Sequence, residues 1–104
     1  MRQLSSTQLA DYLLEHQPLL LDVREPWEYQ ICHLPDSQLM PMSQFTGQVG
    51  QLDPARETVV ICHHGIRSRQ VAMYLEHLGF GNIINLADGI DGWARSVDPQ
   101  MAVY

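Results

Sequence analysis

Lysine is absent from this sequence, and its six arginines face twelve carboxylates, for a formal net charge of -6. So acidic a chain argues against nucleic acid and anionic membrane surfaces as partners. Cysteine is nearly absent too. Only Cys32 and Cys62 occur, with no Cys-x-x-Cys pair, so neither a disulfide framework nor a metal cluster is expected. No apolar run approaches the roughly 20 residues a membrane-spanning helix needs. The start, Met1 to Ser6, leads into a helical pattern rather than a cleavable leader. With two cysteines and no leader, the expectation is a cytoplasmic protein in a reducing compartment. Repeats, linkers and low-complexity segments are also lacking. The 104 residues, 45% of them hydrophobic, suffice for one domain, residues 1–104, and hardly for two.

What the chain does have is an alternation of short apolar runs with helical segments. Ser5 or Ser6 can cap a helix running to about Gln17, and Leu19 to Asp22 reads as a buried strand. Pro26 suits the first turn of a short helix over Glu25 to Tyr29. A short strand near Gln38 to Met40 follows. Ser43 opens a weak helix toward Val49, interrupted by Gly47 and Gly50. After the turn at Asp53-Pro54 come a strand at Thr58 to Ile61 and the longest helix, Arg69 to Leu78, with Ser68 as its cap. Gly79 ends that helix, Asn82 to Leu86 reads as a strand, and Ile90 to Ser96 as a last helical segment. The pattern predicts an α/β fold, a central parallel sheet of about five strands with helices on both faces and ligands at the carboxyl edge of the strands. Trp93 and Phe80 read as core.

Cys62 falls at that edge. It ends the run Thr58 to Ile61 and faces the start of the long helix. A tight turn entering a helix aims N–H groups inward, and the helix dipole adds partial positive charge there. A cysteine so placed is held toward its thiolate, which is the nucleophile. Gly65 supplies backbone freedom for the turn, and Arg67 can anchor the loop or hold an anionic substrate. Arg67 and Arg69 bracket the position and make a local positive spot on an acidic chain. The plain alternative, a cysteine that is only a small buried hydrophobe, leaves the set spacing of Cys62, Gly65, Arg67 and Ser68 unexplained.

Cys62-His63-His64-Gly65-Ile66-Arg67-Ser68 resembles the active-site loop of the rhodanese family of sulfurtransferases, C-x-x-G-x-R-S. The stretch from Leu20 through Asp22-Val23-Arg24-Glu25-Pro26-Trp27-Glu28 to Tyr29 is similar to the family's first signature. Cys32-His33-Leu34-Pro35 stands where Gly-His-Ile-Pro is usual, and Asp88-Gly89 to Trp93 resembles the closing Gly-Gly-x-x-x-Trp element. Three departures stand out: Cys32 for glycine, Asp36-Ser37 for Gly-Ala, and Asp88 for the first closing glycine. The ending Val97-Asp98-Pro99, with Tyr104, is similar to that of rhodanese modules joined to adenylating enzymes of cofactor sulfuration.

The resemblance implies a rhodanese-like fold and a ping-pong sulfur transfer. The Cys62 thiolate takes the outer sulfur of a donor such as thiosulfate, releases sulfite, and passes the persulfide sulfur to cyanide or a thiol. The alternatives are a persulfide relay for cofactor or tRNA sulfuration, with a sulfur-relay protein as partner, and a regulatory interaction module, against which the intact loop argues; no metal or organic cofactor is required. Tyrosine and dual-specificity phosphatases place five residues between cysteine and arginine. Here four lie between Cys62 and Arg67, a narrower loop suited to sulfur rather than phosphorus. His63 and His64 can assist as cations or proton donors near neutral pH. Asp22, Arg24 and Glu28 read as a charge network tying a strand end to the next turn, and Cys32 as a structural residue rather than a redox partner of Cys62.

Overall fold

The computed structural model describes all 104 residues, and in it five strands form one wholly parallel sheet in the order β1-β5-β4-β2-β3. The strands are β1 (Arg2–Leu4), β2 (Leu19–Asp22), β3 (Gln38–Leu39), β4 (Thr58–Ile61) and β5 (Ile83–Leu86). The helices are α1 (Ser6–Tyr12), α2 (Pro26–Ile31), α3 (Phe45–Gln48), α4 (Ile66–His77) and α5 (Gly89–Ser96), with 3-10 turns at Met42–Gln44 and Val49–Gln51 flanking α3. No helix is long and apolar enough to cross a membrane.

Strand β4 lies at the centre because both of its faces are apolar. Every residue of Thr58–Ile61 is buried, as is every residue of β5. Side chains alternate across the sheet, so Val60 and Cys62 join Leu21, Val71, Leu75 and Phe80 in one core cluster. Val59 and Ile61 point the other way, among Leu9, Leu20, Ile84, Ile90 and Trp93. Helix α4 covers the first face, while α1 and α5 pack together over the second. Each sheet face thus has its own helices, as the parallel arrangement requires.

Several boundaries differ from expectation. The edge strand β1 was not expected. It has three residues, two of them exposed and polar, and it exists because it pairs with Ile84 to Leu86. Helix α1 ends at Tyr12 rather than Gln17, the chain then tightening into turns through Asp11 O and Tyr12 O before Pro18, which disfavours helix in the residue preceding it. Ser5 is the cap of α1, in a capping box with Gln8.

Candidate active site

Helix α4 begins at Ile66, two residues beyond the turn that carries His63 and His64, and its cap is Gly65 rather than Ser68. Gly65 sits at φ +93°, and a Cβ there would run into the carbonyl of Ala87. Only glycine allows both the left-handed backbone and the contact. The loop's outer side is fixed by α5: Ile90 N–H donates to the carbonyl of Cys62 (2.8 Å) and Asp91 N–H to that of His63 (3.1 Å). Gly89 makes this approach possible, because a Cβ on it would strike His63. The expected helical segment Ile90 to Ser96 therefore starts one residue earlier and clamps the cysteine loop.

Cys62 is 1% exposed at the end of the central strand. The Gly65 N–H donates to its Sγ at 3.1 Å, and Ser68 Oγ lies 3.3 Å from the same sulfur. Ser68, placed by sequence as a cap, is instead a fully buried residue of the first turn of α4 whose hydroxyl donates to Asn85 Oδ1 at 2.5 Å. A sulfur anion at this position would meet an aligned amide and a helix N-terminus.

Arg67 is the anchor of the loop. Its two terminal nitrogens grip Glu28 at 2.7 and 2.8 Å, a two-pronged geometry that commits both to the protein. The expected charge network is therefore regrouped. Arg24, fully buried, pairs with Asp22 through three hydrogen bonds and reaches only the main-chain oxygen of Glu28. The Glu28 carboxylate belongs to Arg67. Those hydrogen bonds, outweighing burial, hold its carboxyl down at about 2.

Tyr104 joins the two pairs. Its hydroxyl donates to Glu28 Oε2 (2.7 Å) and accepts from Arg24 Nη1 (2.9 Å). Burial is the main reason its phenol is pushed up to about 12. The ring stacks on His63 at 3.8 Å. Burial, with the charge of neighbouring His64, lowers the His63 pKa, and its Nε2 has no hydrogen-bond partner. The cationic role allowed for His63 is thereby disfavoured. His64 and Ile66 are exposed on the loop. Arg69, outside every ion pair, borders a cleft of about 480 Å³ with His64, Ile66, Gln70 and Met73. A second cavity, about 500 Å³, opens elsewhere, at the amino end of β2 beside His16, Asp36 and Arg56.

Cys32 and Cys62 are unpaired and lie in core clusters on opposite faces of the sheet, which fits the structural reading of Cys32. Its carbonyl accepts from Arg24 at 2.6 Å. Asp88 accepts from Ser6 N–H and Oγ and ties α1 to α5, a use the missing glycine could not serve. Asp36 has φ +63°, so the turn still demands the conformation glycine favours. Sequence reasoning passed over Asn85, although one amide inside the apolar strand Ile83–Leu86 was a visible signal.

A family model described as "Rhodanese-like domain" matches residues 5–96. This chain belongs to the rhodanese-like domain family. Relatives include the thiosulfate sulfurtransferase GlpE of Pseudomonas syringae, 32% identical over 94 residues, which are 90% of this chain and 88% of that one. Another is the probable adenylyltransferase/sulfurtransferase MoeZ of Mycobacterium tuberculosis, 34% identical over 93% of this chain. The chain spans about a third or less of the longer relatives it matches at 34% identity. The crystal structure of a rhodanese-related protein from Thermoplasma volcanium superposes with TM-score 0.84 at 29% identity, covering 93% of this chain and 94% of that one. The names of both GlpE and MoeZ are those of sulfurtransferases.

Proposed function

We propose that residues 1–104 act as one rhodanese domain that moves a sulfane sulfur from a thiosulfate-like anion to cyanide or a thiol through a persulfide on Cys62. The observation that carries this reading is the Sγ of Cys62 at the head of α4, with the Gly65 N–H 3.1 Å away. The thiolate attacks the outer sulfur of the donor, the S–S bond of thiosulfate breaks, and sulfite leaves with the bonding pair. The persulfide's outer sulfur then carries the charge, where loop amides and the helix end stabilise it. A thiophile removes that sulfur and returns the thiolate. His63, His64, Gly65, Ile66, Arg67 and Ser68 build the cradle, while Asp22, Arg24 and Glu28 support it. Two reduced cysteines accord with a cytoplasmic location.

The experiment is intact mass before and after thiosulfate, then cyanide. A gain of about 32 Da that cyanide removes, absent in Cys62→Ser, is the expected result for a covalent sulfur carrier. No gain overturns thiosulfate as donor. A second reading is favoured by the likeness to MoeZ and the Tyr104 ending: a relay fed persulfide by a protein donor. It predicts sulfur loading from a cysteine desulfurase where thiosulfate gives none.

A further inference from the structure

Asn85 is 1% exposed in an otherwise apolar strand, and the sulfur-transfer chemistry above gives it no part. Its amide orientation is fixed by what it meets. Nδ2 lies 3.2 Å from the Gly65 carbonyl, which can only accept, and 2.8 Å from Gln3 Oε1. Oδ1 therefore faces Ser68 Oγ, 2.5 Å away. A carbonyl oxygen carries no proton, so the single hydroxyl proton of Ser68 is committed to Asn85. What Ser68 then presents to Cys62 Sγ, at 3.3 Å, is a lone pair. That lone pair accepts from a thiol S–H and opposes a thiolate. The Gly65 N–H at the same sulfur has the reverse preference.

We propose that Asn85 is a positioning residue that sets the direction of the Ser68 hydroxyl and thereby holds Cys62 as a hydrogen-bonded thiol until that hydroxyl turns toward the sulfur. The pair is a switch with two positions. In the resting one, Cys62 donates to Ser68 and Ser68 to Asn85. In the other, the thiol proton has left for water, the Ser68 O–H points at Sγ, and Asn85 Oδ1 has given up its donor. No bond between heavy atoms changes and no electron is transferred. The inference rests on Cys62 as the nucleophile and adds what sets its resting proton.

The charged and titratable groups around the loop are Arg67 and Arg69 on α4, Glu28 of α2 paired with Arg67, His63 and His64 within the loop, Asp91 on α5, and Tyr104. None of them hydrogen-bonds to Ser68 or Asn85, so replacements at position 85 leave them in place.

The test is the rate of alkylation of Cys62 by iodoacetamide at pH 7, read by peptide mass on folded protein. Asn85→Ala frees the Ser68 hydroxyl for the sulfur and is expected to react about fivefold faster, the scale of one hydrogen bond. Asn85→Asp still accepts from Ser68 and adds negative charge, at the cost of the hydrogen bond to the Gly65 carbonyl; it is expected to react more slowly than wild type. With Ser68→Ala already in place, Asn85→Ala is expected to change nothing. Rates that move the same way in both position-85 variants overturn the switch, as does an acceleration that persists without Ser68, the mark of a merely opened loop. Because the alkylation uses no sulfur donor, its failure would leave sulfur transfer to be decided separately, by the mass gain with thiosulfate.

Discussion

Arg67 in the first turn of α4 and Glu28 in α2, 39 residues apart, meet in two parallel hydrogen bonds of 2.7 and 2.8 Å. The pair bolts the cysteine loop to α2, the helix that follows β2. Because Glu28 is held down at about 2, against an ordinary carboxylate value near 4.5, its stabilising effect is complete above pH 4.5 and is lost as pH falls toward 2. Wild type is expected to lose on the order of 2 kcal/mol over that window that Glu28→Gln does not lose, a figure reduced because Arg67 is about a third exposed. Urea unfolding of both proteins between pH 6 and pH 2.5 measures it; parallel pH curves would remove the pair as the cause.

Arg67→Lys keeps the charge and discards the fork. A single ammonium cannot make both bonds, so sulfur transfer is expected to fall at least tenfold while helix content by circular dichroism stays near that of wild type. The comparison of interest is kcat against KM. A loop held out of position lowers kcat, whereas a lost substrate contact raises KM alone.

Gly65→Ala places a Cβ against the Ala87 carbonyl at φ +93°. Left-handed strain costs about 1 kcal/mol and the clash adds more. The expected result is a clear drop in thermal midpoint together with loss of sulfur loading. Asp36→Gly tests the same rule in the opposite direction. Asp36 occupies φ +63°, so glycine there is expected to stabilise in chemical unfolding, by the roughly 1 kcal/mol of left-handed strain less the extra chain entropy glycine loses on folding.

Tyr104→Phe keeps the ring on His63 and removes the hydroxyl shared by Arg24 and Glu28. Two hydrogen bonds to charged groups make a loss of about 2 kcal/mol the expected outcome. A Phe variant as stable as wild type would mean that Tyr104 acts by stacking alone.

Cys32→Ser is expected to load sulfur as wild type does, since Cys32 packs on the opposite face of the sheet from Cys62. Failure of that variant to gain mass, while remaining folded, would restore a redox role for Cys32.

The period and composition of the apolar runs are local properties, and they carried the fold. Leu19 to Asp22, Thr58 to Ile61 and the run ending at Leu86 are strands, because a sheet covered on both faces accommodates such largely apolar segments. The loop from Cys62 to Ser68 was legible for the same reason: its glycine, its arginine and its place between strand and helix are adjacent in sequence. Strand β1 was not legible, since Arg2-Gln3-Leu4 has no pattern of its own and is a strand only by virtue of its neighbour.

Partners distant in the chain were the other thing local pattern could not supply. The sequence by itself determined a parallel α/β sheet with a cysteine at its carboxyl edge, because periodicity, turn chemistry and motif spacing act within a few residues. Tertiary structure alone decided that Arg67 grips Glu28, that Tyr104 bridges Arg24 and Glu28, and that the Ser68 hydroxyl donates to Asn85. Each of these is a hydrogen bond whose direction and reach depend on how the sheet brings remote segments within about 3 Å, and no spacing along the chain encodes that distance.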